Sequence, residues 1–311
     1  MTNRLRTLGR RIGSILGASV MAASCVSGPA PPPVVALGPV AAAPAPAPPP
    51  AARPVQVAEV CGAVAADEPA RVNRASLHTL PWTGFGRPET GWAVYVPALA
   101  AEVGTRCAPE TPGFARALQR WQTAQGLPPT GAVGPDLLDR FKAVWQERRP
   151  FVALRAREIC PSPPRDAELE TATASEGLNG KPVQLRRSAF AAYRRMVAAA
   201  RSEVGELRAE PAVLTLFSGY RSPAYDAARC ARDGNCQGIV RAACSGHRTG
   251  LAMDIDVGQA PGYAVDSSAD ANRLAQVHGA AYRWMIANAR RFGFVPYAFE
   301  PWHWEWTGEN P

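Results

Sequence analysis

Between Pro29 and Pro54, 11 of 26 residues are proline, and nearly all the others are alanine or valine. Proline fixes φ and carries no amide proton, so such a run enters neither a helix interior nor a sheet ladder. It also lacks side chains large enough to build a core. The stretch therefore reads as an extended, polyproline-like tether with a reach of about 3 Å per residue. Whatever folds must lie after it. That part is long enough for about two domains, and a hydrophobic content of 47% supports ordinary cores. No uncharged apolar run reaches about 18 residues, so a polytopic membrane protein is excluded.

Ahead of the tether stand a basic stretch, MTNRLRTLGRR, an apolar stretch, IGSILGASVMAAS, and then Cys25. This is the layout of a secretory signal, with an apolar part too short to span a bilayer stably. Small residues directly before Cys25 resemble a bacterial lipobox, in which that cysteine is lipidated and becomes the first residue. Ala22 stands where such boxes prefer leucine. Cleavage near Ala23 or Ser24, giving a product without the lipid, is the alternative. The expected ranges are a signal peptide over 1–25 and a tether over 26–58. The protein is then exported to the periplasm and held to a membrane by a lipid anchor on Cys25. Six cysteines remain: Cys61, Cys107, Cys160, Cys230, Cys236 and Cys244. An even set in an exported chain implies disulfides, with Cys230–Cys236 and Cys61–Cys107 the favoured pairs. None has the two-residue spacing that zinc-thiolate sites favour. The net charge is +8, yet all but two of the 34 basic residues (Lys142 and Lys181) are arginine, spread along the chain. Four of them, Arg4, Arg6, Arg10 and Arg11, fall in the signal. No basic patch emerges, which argues against a nucleic-acid partner.

Residues 59–150 read as a small helical domain. Phe114, Ala117, Leu118 and Trp121 recur at helical spacing. GLPPTG interrupts the pattern, and Leu137, Leu138 and Phe141 resume it. Residues 151–165, with the run PSPPRD, read as a linker. Residues 166–311 form the second domain. A helical pattern over Arg187–Leu207 leads to a strand-like run AVLTLFSGYRS and then a strand AMDIDV. One helix from about Ala269 to Phe292 and an extended segment, FVPYAFEPWHWEW, complete it. That order predicts an α+β domain with a small antiparallel sheet and flanking helices, preceded by the helical domain.

Two of the four histidines sit in loaded settings, His247 in CSGHRTGLAMD and His303 in EPWHWEW. Two imidazoles and a carboxylate are a common ligand set for catalytic zinc, which makes hydroxide available near neutral pH. A carboxylate outside the ligand set must then move the proton, a task that faces Glu300. In a strand, Asp254 and Asp256 share one face, with Met253 and Ile255 on the other. A carboxylate among apolar neighbours is costly unless paired or metal-bound. Asp256 either orients a ligand or is exposed. Glu305 shares the face of His303 in a regular strand and is the natural control for Glu300. His78 and His278 read as surface or satisfied residues.

These motifs resemble the VanY-type D-alanyl-D-alanine carboxypeptidases, zinc peptidases of the bacterial cell wall. The family pattern S-x-H-x-x-G-x-A-x-D is met by Ser245, His247, Gly250, Ala252 and Asp254, and E-x-x-H by Glu300 and His303. The resemblance implies a Zn2+ ion on His247, Asp254 and His303, with Glu300 as general base and acid. It implies that Arg221, in SGYRS, stabilises the oxyanion, and that Ser245 and Tyr220 hold substrate. Upstream, Phe114, Leu118, Gln119, Gly126, Leu127, Gly131 and Gly134 are similar to the repeat of small peptidoglycan-binding domains. The function implied is zinc-dependent hydrolysis of peptide bonds in peptidoglycan stem peptides, at the terminal D-Ala-D-Ala bond. An L,D- or L-Ala–D-Glu endopeptidase of the same fold is one alternative. A non-catalytic peptidoglycan-binding lipoprotein is the other, and it has no need for the general base.

Overall fold

A computed structural model describes residues 60–62, 67–157, 159–234, 236 and 244–309. The signal, Cys25 and the tether lie outside the described residues. Among the described residues, no helix is long and apolar enough to cross a membrane.

The first part is helical. Helix α1 (Glu68–Ser76) is followed by a hairpin of β1 (Pro81–Gly84) and β2 (Arg87–Thr90). Helices α2 (Val96–Val103), α3 (Pro112–Ala124) and α4 (Pro135–Glu147) then pack together. Helix α3 starts where Thr111 accepts the Phe114 amide and Pro112 supplies a preset φ at the first position. Its buried face carries Phe114, Leu118 and Trp121; Leu137, Leu138 and Phe141 answer from α4. Trp121 and Phe141 stack with centroids 4.1 Å apart. The linker expected over 151–165 is helical in its first half, where α5 spans Pro150–Ala156.

The second part opens with a hairpin of β3 (Leu169–Thr171) and β4 (Gln184–Arg186), then α6 (Arg187–Glu203) and α7 (Gly205–Ala209). Next come β5 (Leu216–Ser218), α8 (Pro223–Arg232) and β6 (Ala252–Ile255). Helices α9 (Asp270–His278) and α10 (Ala280–Asn288) lead to β7 (Phe294–Pro296) and β8 (His303–Trp306). The four-stranded sheet has the order β5-β6-β8-β7, antiparallel throughout. Two expectations change in detail. The single helix over 269–292 breaks at Gly279, which is extended (φ −68°, ψ 153°). Apolar spacing runs through the break, and only the low helix propensity of glycine signals it. The C-terminal extended segment folds back on itself, β7 pairing with β8 across a turn at residues 297–302.

One core gathers Phe190, Tyr193, Met196, Leu216, Met253, Ile255 and Trp304 between α6, α10 and the sheet. A second fills the helical part around Trp92, Tyr95, Phe114 and Phe141. Val94 and Ile286 pack against both. The described residues all fall in one unit, Val55–Pro311. Among the described residues there are three disulfides: Cys61–Cys107, Cys160–Cys244 and Cys230–Cys236. The second ties the proline-rich joint to the residue that precedes the His247 motif.

Candidate metal centre

Strand register builds the centre. Ser218 of β5 pairs with Asp254 of β6, and Asp254 pairs with His303 of β8. Three neighbouring strands thus place these residues in one row. His247 reaches the row from a 3-10 turn, Gly246–Thr249, just before β6. That turn closes on Gly250, whose φ of +70° lies in the left-handed region that glycine adopts without strain. Ligand atoms of His247, Asp254 and His303 lie within 4.8 Å of one another, and all three residues are buried.

Each imidazole offers a different nitrogen. His247 directs Nδ1 at the Gly219 carbonyl, 2.7 Å away, and Nε2 at Asp254 Oδ1, 3.3 Å away. His303 directs Nδ1 at Asp254 Oδ1, 2.9 Å away, and Nε2 at Glu305 Oε1, 3.4 Å away. In both cases the outward nitrogen faces an acceptor behind it. An inner nitrogen freed of its proton then turns its lone pair toward the centre, as a metal ligand requires.

The charges fit a cation. Burial lowers His247, with help from Arg221, to about 4, so it is a neutral donor at pH 7. Burial works against the charged form of His303 too, but hydrogen bonds to Asp254 and Glu305 raise it to about 9. Two carboxylates therefore draw positive charge to this point. Burial opposes ionisation of Asp254, yet His247, His303 and Arg221 hold it well below its ordinary range. The donor set of two neutral-capable imidazoles and one ionised carboxylate suits zinc.

The other expected site residues surround this centre. Glu300 lies in the β7–β8 turn, half-buried; its carbonyl accepts the His303 amide at 2.9 Å. Its carboxyl is raised by burial, with the charges of His303, Asp254, Arg149 and Arg221 acting on it. Arg221 donates from Nη2 to Asp254 Oδ2 and to Ser218 Oγ, both at 2.9 Å. Ser245 points its hydroxyl at Asp226, 3.2 Å away, and stands at the start of the His247 turn. Tyr220 is half-buried, and its amide donates to the Gln184 carbonyl. Asp256 neither bonds the histidines nor lies exposed: its Oδ1 accepts the Gly258 amide at 2.8 Å. His78 and His278 are exposed.

Three residues escape the sequence reading. Asp226, buried in the first turn of α8, receives Ser245 Oγ and Arg248 Nη2, both at 3.2 Å, and so fastens both sides of His247. Nothing near it in the sequence marks it. Glu305 is buried against His303 rather than standing apart as a control; its spacing of two from His303 was the available sign. Burial opposes its charge, but Arg149 and His303 hold it down at about 2. Arg149, at the α4–α5 junction, bonds Glu305 from far outside the motifs.

Residues 182–309 match the family model described as VanY: D-alanyl-D-alanine carboxypeptidase. They are a VanY domain. Within this VanY domain, and among the described residues, His247, Asp254 and His303 are the group whose donor atoms could hold a metal ion. No curated protein matches the chain. Among solved structures, the LdcB LD-carboxypeptidase is 23% identical over 48% of this chain and 72% of its own, with a TM-score of 0.35. A variant of the vancomycin-resistance D,D-pentapeptidase VanY in complex with Zn(II) is 21% identical. That match covers 47% of this chain and 83% of its own, with a TM-score of 0.28.

Proposed function

We propose that the protein hydrolyses peptide bonds in peptidoglycan stem peptides, at the terminal D-Ala-D-Ala bond, as a zinc-dependent carboxypeptidase. The observation that carries this reading is the row Asp254–His303 joined by His247, with Glu300 in the turn directly before His303. A zinc ion on these residues supplies Lewis acidity toward water and the scissile carbonyl.

The chain's own groups do the rest. Glu300 accepts a proton from the attacking water on its carboxylate and returns it to the leaving amine nitrogen. Burial raises its affinity for protons, which suits a group that both takes and returns one. Arg221, held at Asp254, brings positive charge beside the carbonyl under attack. Ser245 and Tyr220 flank the same loops and contact the substrate chain. A lipid on Cys25 and the spacer after it tether the enzyme to a membrane while the helical part, residues 59–150, contacts the wall.

The test is direct. Purified full-length protein is expected to hold about one zinc per chain and to release one D-alanine from pentapeptide muropeptides, read by mass spectrometry. His303→Ala is expected to lose both metal and turnover. Full zinc occupancy in that variant overturns the ligand assignment. Release of D-alanine from tetrapeptides alone, or cleavage inside the stem, reassigns the bond.

A further inference from the structure

We propose that Arg149, which precedes the VanY domain in the chain, is a positioning residue of the metal centre and acts on His303 through Glu305 and Tyr297. The inference rests on the metal-centre reading above.

Glu305 is 2% exposed and Arg149 8% exposed. Two charges taken out of water lose their hydration before they attract one another, so a buried pair seldom stands for stability alone. The geometry gives this one a task. Arg149 donates to Glu305 Oε1 from Nε at 2.9 Å and from Nη2 at 2.6 Å, while the Phe151 amide donates to Oε2 at 3.2 Å. The guanidinium is itself fixed by Nη1 donating to Gln146 Oε1 at 2.9 Å. Held on this side by α4 and α5, Oε1 faces Nε2 of His303 on the other. His247 obtains the same service from a backbone carbonyl; His303 depends on this side chain.

A second contact reaches the same ring. Arg149 lies over the Tyr297 ring, 4.0 Å from its centroid. Tyr297 in turn meets His303 edge-on, with centroids 5.9 Å apart and planes at 86°. Tyr297 also accepts the Glu300 amide on its carbonyl. One arginine thus braces the acceptor behind His303, the ring beside it and the turn that carries Glu300. Because Arg149 lies outside residues 182–309, the helical part is a component of the metal centre as well as a neighbour of it.

Zinc affinity of the full chain, measured by chelator competition, tests this without reference to turnover. Loss of a carboxylate behind a metal-bound histidine typically weakens metal binding by about 10–100-fold. Glu305→Ala and Arg149→Ala are each expected to fall in that range, and the double variant to lose less than the product of the two single losses. The zinc-loaded parent is expected to show a slowly exchanging His303 Nε2–H proton in NMR, absent in Glu305→Ala and faster-exchanging in Arg149→Ala. A purely structural pair lowers the melting temperature and leaves both readouts unchanged. Should the alanine variants fail to fold, Arg149→Lys keeps the charge without the fork and is expected to weaken zinc about tenfold. Zinc affinity within twofold of the parent in the folded Arg149 variants overturns the proposal alone. A parent chain that takes up no zinc overturns the metal-centre reading and this inference together.

Discussion

Glu300 and Arg221 both stand beside His247, Asp254 and His303, but they differ in what they touch. Glu300 makes no bond to His247, Asp254 or His303 through its side chain, whereas Arg221 donates to Asp254 Oδ2. Glu300→Gln is therefore expected to keep zinc near one per chain and lower turnover by about 10²–10⁴-fold. Arg221→Ala removes a partner of Asp254, so its expected loss of turnover, about 10²–10³-fold, comes with weaker zinc binding. Equal zinc affinity in the two variants, by chelator competition, contradicts that distinction. At this scale the grouping of His247, Asp254 and His303 was legible because their residue types and spacing are chemically restrictive. Glu305 was misjudged as a bystander, since spacing shows that it shares a face with His303 but not that the face is buried. Arg149 was illegible: its partner is 156 residues away, and an arginine at a helix end looks like any other.

The elements carrying these residues were read with uneven success, for a physical reason. Helices α3, α4 and α6 show their buried stripe in the sequence, since period 3.6 is visible when one side faces solvent. Strand β6 is buried along its whole length, so alternation is absent from its burial even where the residues alternate. The 3-10 turn before it is set by one residue. At Gly250 an added Cβ meets Arg186 Cγ at 3.1 Å, and the φ of +70° is one that alanine resists. Gly250→Ala is expected to cost about 1–2 kcal/mol and to shift His247, so that melting temperature and zinc affinity fall together. A variant that melts like the parent shows that the turn is not the hinge on which His247 depends.

Across the whole molecule, charge links parts that the sheet does not. Glu176 receives Arg194 Nε at 2.6 Å and the Thr173 amide at 2.9 Å, pinning the loop before β4 to α6. The Arg194 bond, ahead of the Thr173 bonds, lowers this carboxyl from 4.5 to about 2. A depressed carboxylate stabilises the fold above its unfolded value, and the gain is lost as pH falls through the folded one. In urea unfolding, Glu176→Gln is expected to be less stable than the parent at pH 7, by up to about 1 kcal/mol for so exposed a pair. The gap is expected to close between pH 4.5 and 2. A gap constant across that window removes Glu176 as its source. The separations at the metal centre carry a further consequence. His247 meets Gly219 across 28 residues, His303 meets Asp254 across 49, and Arg149 meets Glu305 across 156. Contacts so distant form only after the intervening loops have closed. The centre is thus complete only once the helical part and the C-terminal strands are both in place, and on the proposed function that requirement provides latency: a hydrolase of the cell's own wall stays harmless until both parts have folded.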